Sequence, residues 1–153
     1  MIEINNLIKA RISQSFIKKT IQSVLRKLKA CPGAKRRIKK AEISIALVDK
    51  KTIRRLNKMY RGINKVTDVL SFNYSPLVKG VRGLSPNNQL LISIVGEIII
   101  CYPSAKKQAK DQRHSIKEEV KFLLIHGLLH LLGYSHLRNK ERQEMREIEE
   151  ELI

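Results

Sequence analysis

The stretch from Val120 to Leu132 constrains this chain more than any other. It is apolar in nearly every helical direction, broken only by Lys121, His126, Gly127 and His130. A helix of that kind has no face to offer to water, so the rest of the chain has to wrap it. It is far short of the ~20 residues that span a bilayer. Ser115-Ile116-Lys117-Glu118 has the capping-box spacing that starts a helix at Ser115, and Gly133 stops it. Within that helix His126 and His130 are four residues apart. They differ by ~40° in direction and ~6 Å in rise, so both rings reach one point. Two imidazoles on a buried helix need polar partners, and one cation satisfies both.

The remaining elements follow from periodicity. Ile2–Ile4 reads as a short strand. Ile12, Phe16, Ile17, Ile21, Val24, Leu25 and Leu28 recur at helical spacing, and Cys31-Pro32-Gly33 ends that helix. Glu42–Val48 alternates as a strand. Asp49 is positioned to cap a helix that turns Ile53, Leu56 and Tyr60 inward. Val66–Tyr74 reads as a further strand, and the Pro, Gly and Asn residues between 76 and 88 as a loop. Leu90–Cys101 is a long apolar run for one strand, or two around Gly96. Pro103 opens a helix to about Arg113, and Asn139 begins a last one with Met145, Ile148 and Leu152 toward the core. Helices and strands mix without βαβ alternation. The expectation is a single α+β domain over residues 1–153. It has a central mixed sheet of about four strands, about five helices, and one buried helix carrying the histidines.

Charge is distributed unevenly. The formal net charge is +17, from 31 Lys and Arg against 14 Asp and Glu. Residues 1–65 hold 19 of the cations and 3 of the acids, whereas the remainder is nearly balanced. The densest run, Arg26 to Lys40, has eight cations and no acid. A field of this sign attracts polyanions, of which RNA is the commonest in a cytoplasm. The N-terminus lacks the basic start and apolar run of a secretion signal, and Cys31 and Cys101 fit no metal or redox spacing. A cytoplasmic protein with reduced cysteines is expected.

Three of the four histidines, His126, His130 and His136, lie within eleven residues. His136 follows Gly133 on a returning segment. Three imidazoles around an ion, with a fourth position open, is the arrangement of a catalytic zinc site. The competing reading, three unrelated core histidines, leaves each ring to find its own partner. The spacing matches the HExxHxxGxxH pattern of the metzincin proteases, glycine included. The glutamate that serves those enzymes as general base is here Gly127, which cannot carry a proton. Upstream, Leu56-Asn57-Lys58-Met59-Tyr60-Arg61 is followed by Thr67-Asp68-Val69-Leu70-Ser71-Phe72. Arg61 closes a basic helix, where its guanidinium is either a surface charge at the helix end or a fork for phosphate.

These segments together resemble the YbeY family, whose pattern HGxLHLxGYDH is matched from His126 to His136 except at Ser135, where the family has aspartate. The family's LNxxYR and TDVLSF blocks are matched at Leu56, Asn57, Tyr60, Arg61 and Thr67 to Phe72. Gly96-Glu97-Ile98 resembles its Gly-Asp/Glu-Ile segment, and the likeness runs from about Glu42 to the C-terminus. The resemblance implies an α+β fold, a zinc ion held by His126, His130 and His136, and an arginine at position 61 needed for activity. It also implies cleavage of single-stranded RNA in the maturation of small-subunit ribosomal RNA. Asp68 and Glu97 stand as candidate proton acceptors that nothing in the sequence separates from structural carboxylates. Two other readings share part of the pattern: a non-catalytic, zinc-containing ribosome-assembly factor, and a metalloprotease, against which Gly127 argues.

Overall fold

The computed structural model describes residues 1–30, 36–74, 90–134 and 139–153. Its elements are β1 (Ile2–Asn6), α1 (Gln14–Ala30), β2 (Arg36–Val48), α2 (Lys50–Arg61), β3 (Val69–Asn73), β4 (Leu90–Cys101), α3 (Tyr102–Asp111), α4 (Ile116–Leu131) and α5 (Asn139–Leu152). The four strands form one sheet in the order β1-β2-β4-β3, with β3 antiparallel to β4 and the other pairs parallel. This is the expected α+β architecture with a mixed sheet. Leu90–Cys101 is one strand, and its apolar character has a simple cause: β4 is central and covered on both faces. Ile43, Ile45, Leu47, Ile98 and Ile100 face a core shared with α1, α4 and α5. Ala46, Val48, Leu70, Ile99 and Cys101 face the other way, under Ile53 of α2.

β1 runs on past Ile4 to Asn6, and two strands begin elsewhere than expected. β2 begins at Arg36 rather than Glu42, because its backbone pairs with Leu90–Ser93 of β4 across a register shift between Ile38 and Lys40. Four cations, Arg36, Arg37, Lys39 and Lys40, hide that extension, since charge masks the apolar alternation by which strands are read. β3 begins at Val69 rather than Val66. The Asp68 side chain accepts from the Val69 N–H at 2.8 Å and from the Thr67 hydroxyl at 3.2 Å, so a local turn holds the residues before it.

The helices follow their stripes with one correction. Asp49 caps α2, its Oδ1 accepting from Thr52 N at 2.7 Å, and Ile53 is buried. Tyr60 is not inward: it is 61 % exposed, whereas Asn57 is buried. The inward stripe runs through Ile53, Leu56 and Asn57. The Asn57 amide donates to Lys65 O at 2.8 Å and ties down the connection after Gly62, which takes the left-handed φ of 72°. The end expected of α1 at Cys31-Pro32-Gly33 falls outside the described residues, as do Cys31 and the loop between 76 and 88. No helix among the described residues is long and apolar enough to cross a membrane.

α4 is the centre of the larger core. Its capping box is present in both directions, Ser115 Oγ accepting from Glu118 N and Glu118 Oε2 accepting from Ser115 N at 2.7 Å. Those bonds hold the Glu118 carboxyl below the usual range. Val120, Leu123, Leu124, Ile125, Leu128, Leu129 and Leu131 are all buried. Gly127 faces the sheet so closely that a Cβ there would meet Ile98 Cγ2 at 2.9 Å. Gly127→Ala should therefore destabilise the protein by about 1–3 kcal/mol, as overpacking does, read as a lower midpoint in denaturant unfolding. The loss should shrink in an Ile98→Ala background. Equal losses in both backgrounds would refute the packing account.

Candidate metal centre

His126 and His130 leave α4 in the same direction, and the chain beyond the helix fixes each ring. Gly133, at φ 83°, turns the backbone so that Tyr134 N bonds Leu129 O and the Tyr134 carbonyl comes back over the last turn. His130 Nδ1 lies 2.9 Å from that carbonyl, and a carbonyl only accepts, so Nδ1 carries a proton. His126 Nδ1 lies 2.7 Å from Glu149 Oε1, a buried carboxylate of α5. That ring is likewise held with its proton on Nδ1. The ring centroids are 4.7 Å apart, and the two Nε2 atoms face each other at 3.1 Å.

This arrangement suits a metal ion. With both Nδ1 atoms donating, both Nε2 atoms present lone pairs, which repel at that distance unless a proton or a cation lies between them. Two ligands about 2.0–2.1 Å from a tetrahedral ion stand about 3.3 Å apart, close to the separation here. A carboxylate or carbonyl behind each ring is the usual support of a metal-bound histidine. His136 and Ser135 lie outside the described residues. Among the described residues no group of three His, Cys, Asp or Glu is gathered as a metal site.

The sequence reading missed what surrounds His126. A cavity of about 330 Å³ is lined by Phe122, His126, Arg142, Met145, Arg146 and Glu149. α5 thus contributes two guanidinium groups and a carboxylate beside the histidine. Met145 at the inward spacing marks the α5 stripe, and Glu149 one turn on lies on it; this was the available signal. Position 127 also gains a second meaning. Glycine there denies the site a general base, and a glutamate side chain would have to occupy the space that Ile98 fills.

Arg61 is the last residue of α2, exposed, and makes no hydrogen bond or ion pair with the described residues. α2 and α4 cover opposite faces of the sheet. Their C-terminal ends nevertheless meet the same end of edge strand β3. Tyr60 packs edge-on against Phe72 at 5.0 Å, while on the other face the Asn73 amide donates to Leu131 O at 2.7 Å. The two candidate proton acceptors fare differently. Asp68 is occupied, accepting also from the Gln108 amide at 2.8 Å. Glu97 alternates with Gly96 and Ile98, which touch α4, so it stands on the α2 face, where the Tyr74 hydroxyl donates to it at 3.4 Å. Burial first, and then the Glu97 charge, push the Tyr74 phenol up. The fourth histidine, His114, pairs with buried Glu119 at 3.0 Å; burial raises that carboxyl, against the pull of His114.

The pattern of the family described as Endoribonuclease YbeY matches residues 3–153. The chain belongs to the YbeY family. The match reaches further toward the N-terminus than the likeness legible from Glu42 onward. Among curated YbeY endoribonucleases, that of Desulforamulus reducens is 43% identical over 113 residues, 74% of this chain and 71% of its own length. That of Caldanaerobacter subterraneus subsp. tengcongensis is 39% identical over 133 residues, covering 85% and 83%. The solution structure of TM1509 from Thermotoga maritima superposes with a TM-score of 0.63 at 25% identity, over 99% of this chain and 86% of that one.

Removing the carboxylate behind His126 should loosen a bound metal. Glu149→Ala is expected to weaken zinc affinity about 10–100-fold, measured by competition with a chromogenic chelator. Unchanged affinity in a folded variant would show that Glu149 does not orient the ring.

Proposed function

We propose that this chain is a zinc-dependent, single-strand-specific endoribonuclease. Its substrate is RNA on the maturation route of small-subunit ribosomal RNA, and it serves ribosome quality control in the cytoplasm, with residues 1–153 working as one domain. The observation that carries the reading is the pair of Nε2 atoms 3.1 Å apart on a buried helix, each ring locked by an acceptor at Nδ1. His126, His130 and His136 are the proposed ligands. α4 and α5, on either side of His136, both supply groups to the same place. Imidazole ligands also suit other divalent transition metals.

A zinc ion held by His126, His130 and His136 would supply a Lewis acid for a phosphoryl oxygen and a bound water with its pKa brought down to about 7. The residues of the chain do the rest. Glu149 and the Tyr134 carbonyl keep both Nδ1 protons in place, so that the Nε2 lone pairs stay aimed inward. Arg142 and Arg146, at the cavity beside His126, supply positive charge for a phosphodiester entering it. Arg61 neutralises charge developing on the phosphate. The cations of residues 1–65 hold the RNA backbone without reading its sequence. A peptidase would need a base at position 127, which is glycine packed on Ile98. A non-catalytic assembly factor would hold its metal with four protein ligands, closing the site.

Metal-loaded protein should cut single-stranded RNA and stop when a chelator is added, while casein is left intact. A triple alanine variant at 126, 130 and 136 should lose its zinc by elemental analysis. Arg61→Ala should slow single-turnover cleavage on the order of 100-fold or more while RNA affinity changes little. Casein degradation that tracks metal content, with RNA untouched, would reverse the assignment. Weakened binding with saturated cleavage intact would reduce Arg61 to a backbone contact.

A further inference from the structure

The sheet face away from the histidines has an unusual surface. The chain has only seven aromatic residues, and three of them, Tyr60, Phe72 and Tyr74, lie together at the end of β3. Tyr60 and Tyr74 are 61 % and 60 % exposed. Neither ring is loose. Phe72 supports Tyr60 by an edge contact at 5.0 Å, and Glu97 accepts from the Tyr74 hydroxyl. Tyr60 is near enough to be among the groups that raise the Tyr74 phenol.

Beside these rings runs α2, which contains no acidic residue. Lys50, Lys51, Arg54, Arg55 and Lys58 line a depression of about 390 Å³ with Asn64, whose Oδ1 accepts from Arg54 Nε at 2.9 Å. Arg54, Lys58 and Arg61 follow one another at positions i, i+4 and i+7, so the stripe continues to the end of the helix beside Tyr60. Over about 18 Å of helix, cations lead to supported aromatic rings. Glu3, Glu42 and Glu97 lie on the same sheet face beside Tyr74 and repel phosphate. They confine a polyanion to the α2 side.

We propose that α2 and the rings of Tyr60 and Tyr74 form a second contact site for single-stranded RNA, with phosphates along the cationic stripe and an unpaired base stacked on the tyrosines. From there the strand crosses the β3 edge, where α2 and α4 end on opposite faces, toward His126 and His130. The direction of the strand rests on the endoribonuclease reading; the binding does not. A cationic track beside exposed rings is the chemistry that holds single strands, because every base has a π-face and every nucleotide a phosphate. Double-stranded RNA hides its bases and has no use for the tyrosines.

The test is binding of the full chain to a single-stranded RNA of about twelve nucleotides, carrying one 2-aminopurine, with chelator present so that nothing is cut. The parent protein should quench the 2-aminopurine on binding. Tyr60→Leu with Tyr74→Leu should weaken binding roughly 5- to 100-fold and lose the quenching, with the salt dependence unchanged. Tyr60→Phe should retain both. Lys50→Ala with Lys51→Ala should flatten the slope of log affinity against log salt by ~0.7 per cation and keep the quenching. The proposal fails if the leucine variant binds and quenches like the parent. It fails equally if that variant loses only its hold on phosphatidylserine vesicles, which would make the patch a membrane contact. A parent protein that binds as described but cuts no RNA once metal is restored refutes the endoribonuclease reading alone. One that cuts RNA while the leucine variant binds normally refutes this inference alone.

Discussion

A helix buried on nearly every side cannot leave its polar groups to water, and much of this molecule follows from how α4 meets that demand. At its N-terminus the Ser115–Glu118 box satisfies the Ser115 and Glu118 N–H groups, and at its C-terminus the turn at Gly133 and Asn73 from β3 satisfy the last carbonyls they reach. Its two histidines are satisfied at Nδ1 by Tyr134 and Glu149. The two Nε2 atoms then face each other at 3.1 Å, and partial burial of the rings favours a cation between them. The bonds that hold the half-buried imidazoles in place also set their tautomers.

The close approach of α4 to the sheet governs which chemistry the site can have. Gly127 touches Ile98 and Gly96 lies against Leu131, so at each point a side chain of one element packs directly on the backbone of the other. That proximity aligns α4 with β4 and brings its last turn to Asn73. It also leaves Ile98 in the space that a side chain at position 127 would enter. The metzincin spacing is shared, but glycine at position 127 has a packing cause.

The two faces of the sheet divide the labour. One is covered by α1 and α4, with α5 packed on α4, and carries the histidines. The other is covered by α2, which turns Ile53 to the sheet and its cations to solvent. Positive charge that looked diffuse along residues 1–65 is, in α2, a directed stripe. It ends at Arg61, beside the exposed Tyr60 ring and at the β3 edge that separates the two faces. β3 is short, and both helices finish against it.

The sequence by itself determined the elements whose signal is local. The capping box and Gly133 bracket α4. The i, i+4 histidines lie on one face of that helix because the backbone repeat is 3.6 residues. The apolar run of β4 marks a central strand, and Asp49 caps α2 as a short side chain one residue before a helix should. Tertiary structure decided what depends on a partner distant in the chain. β2 reaches back to Arg36 only because β4 offers a backbone to pair with. Asn57, not Tyr60, turns inward because Lys65 O is there to accept from it and Phe72 is there to receive the ring at the surface. Glu149 is one of six glutamates in α5; its place one turn after Met145 marks it as inward, but nothing local names His126 as its partner. Only the packing of α5 on α4 puts its carboxylate 2.7 Å from His126, since hydrogen bonds across 23 residues are settled by the fold and leave no periodicity in the chain.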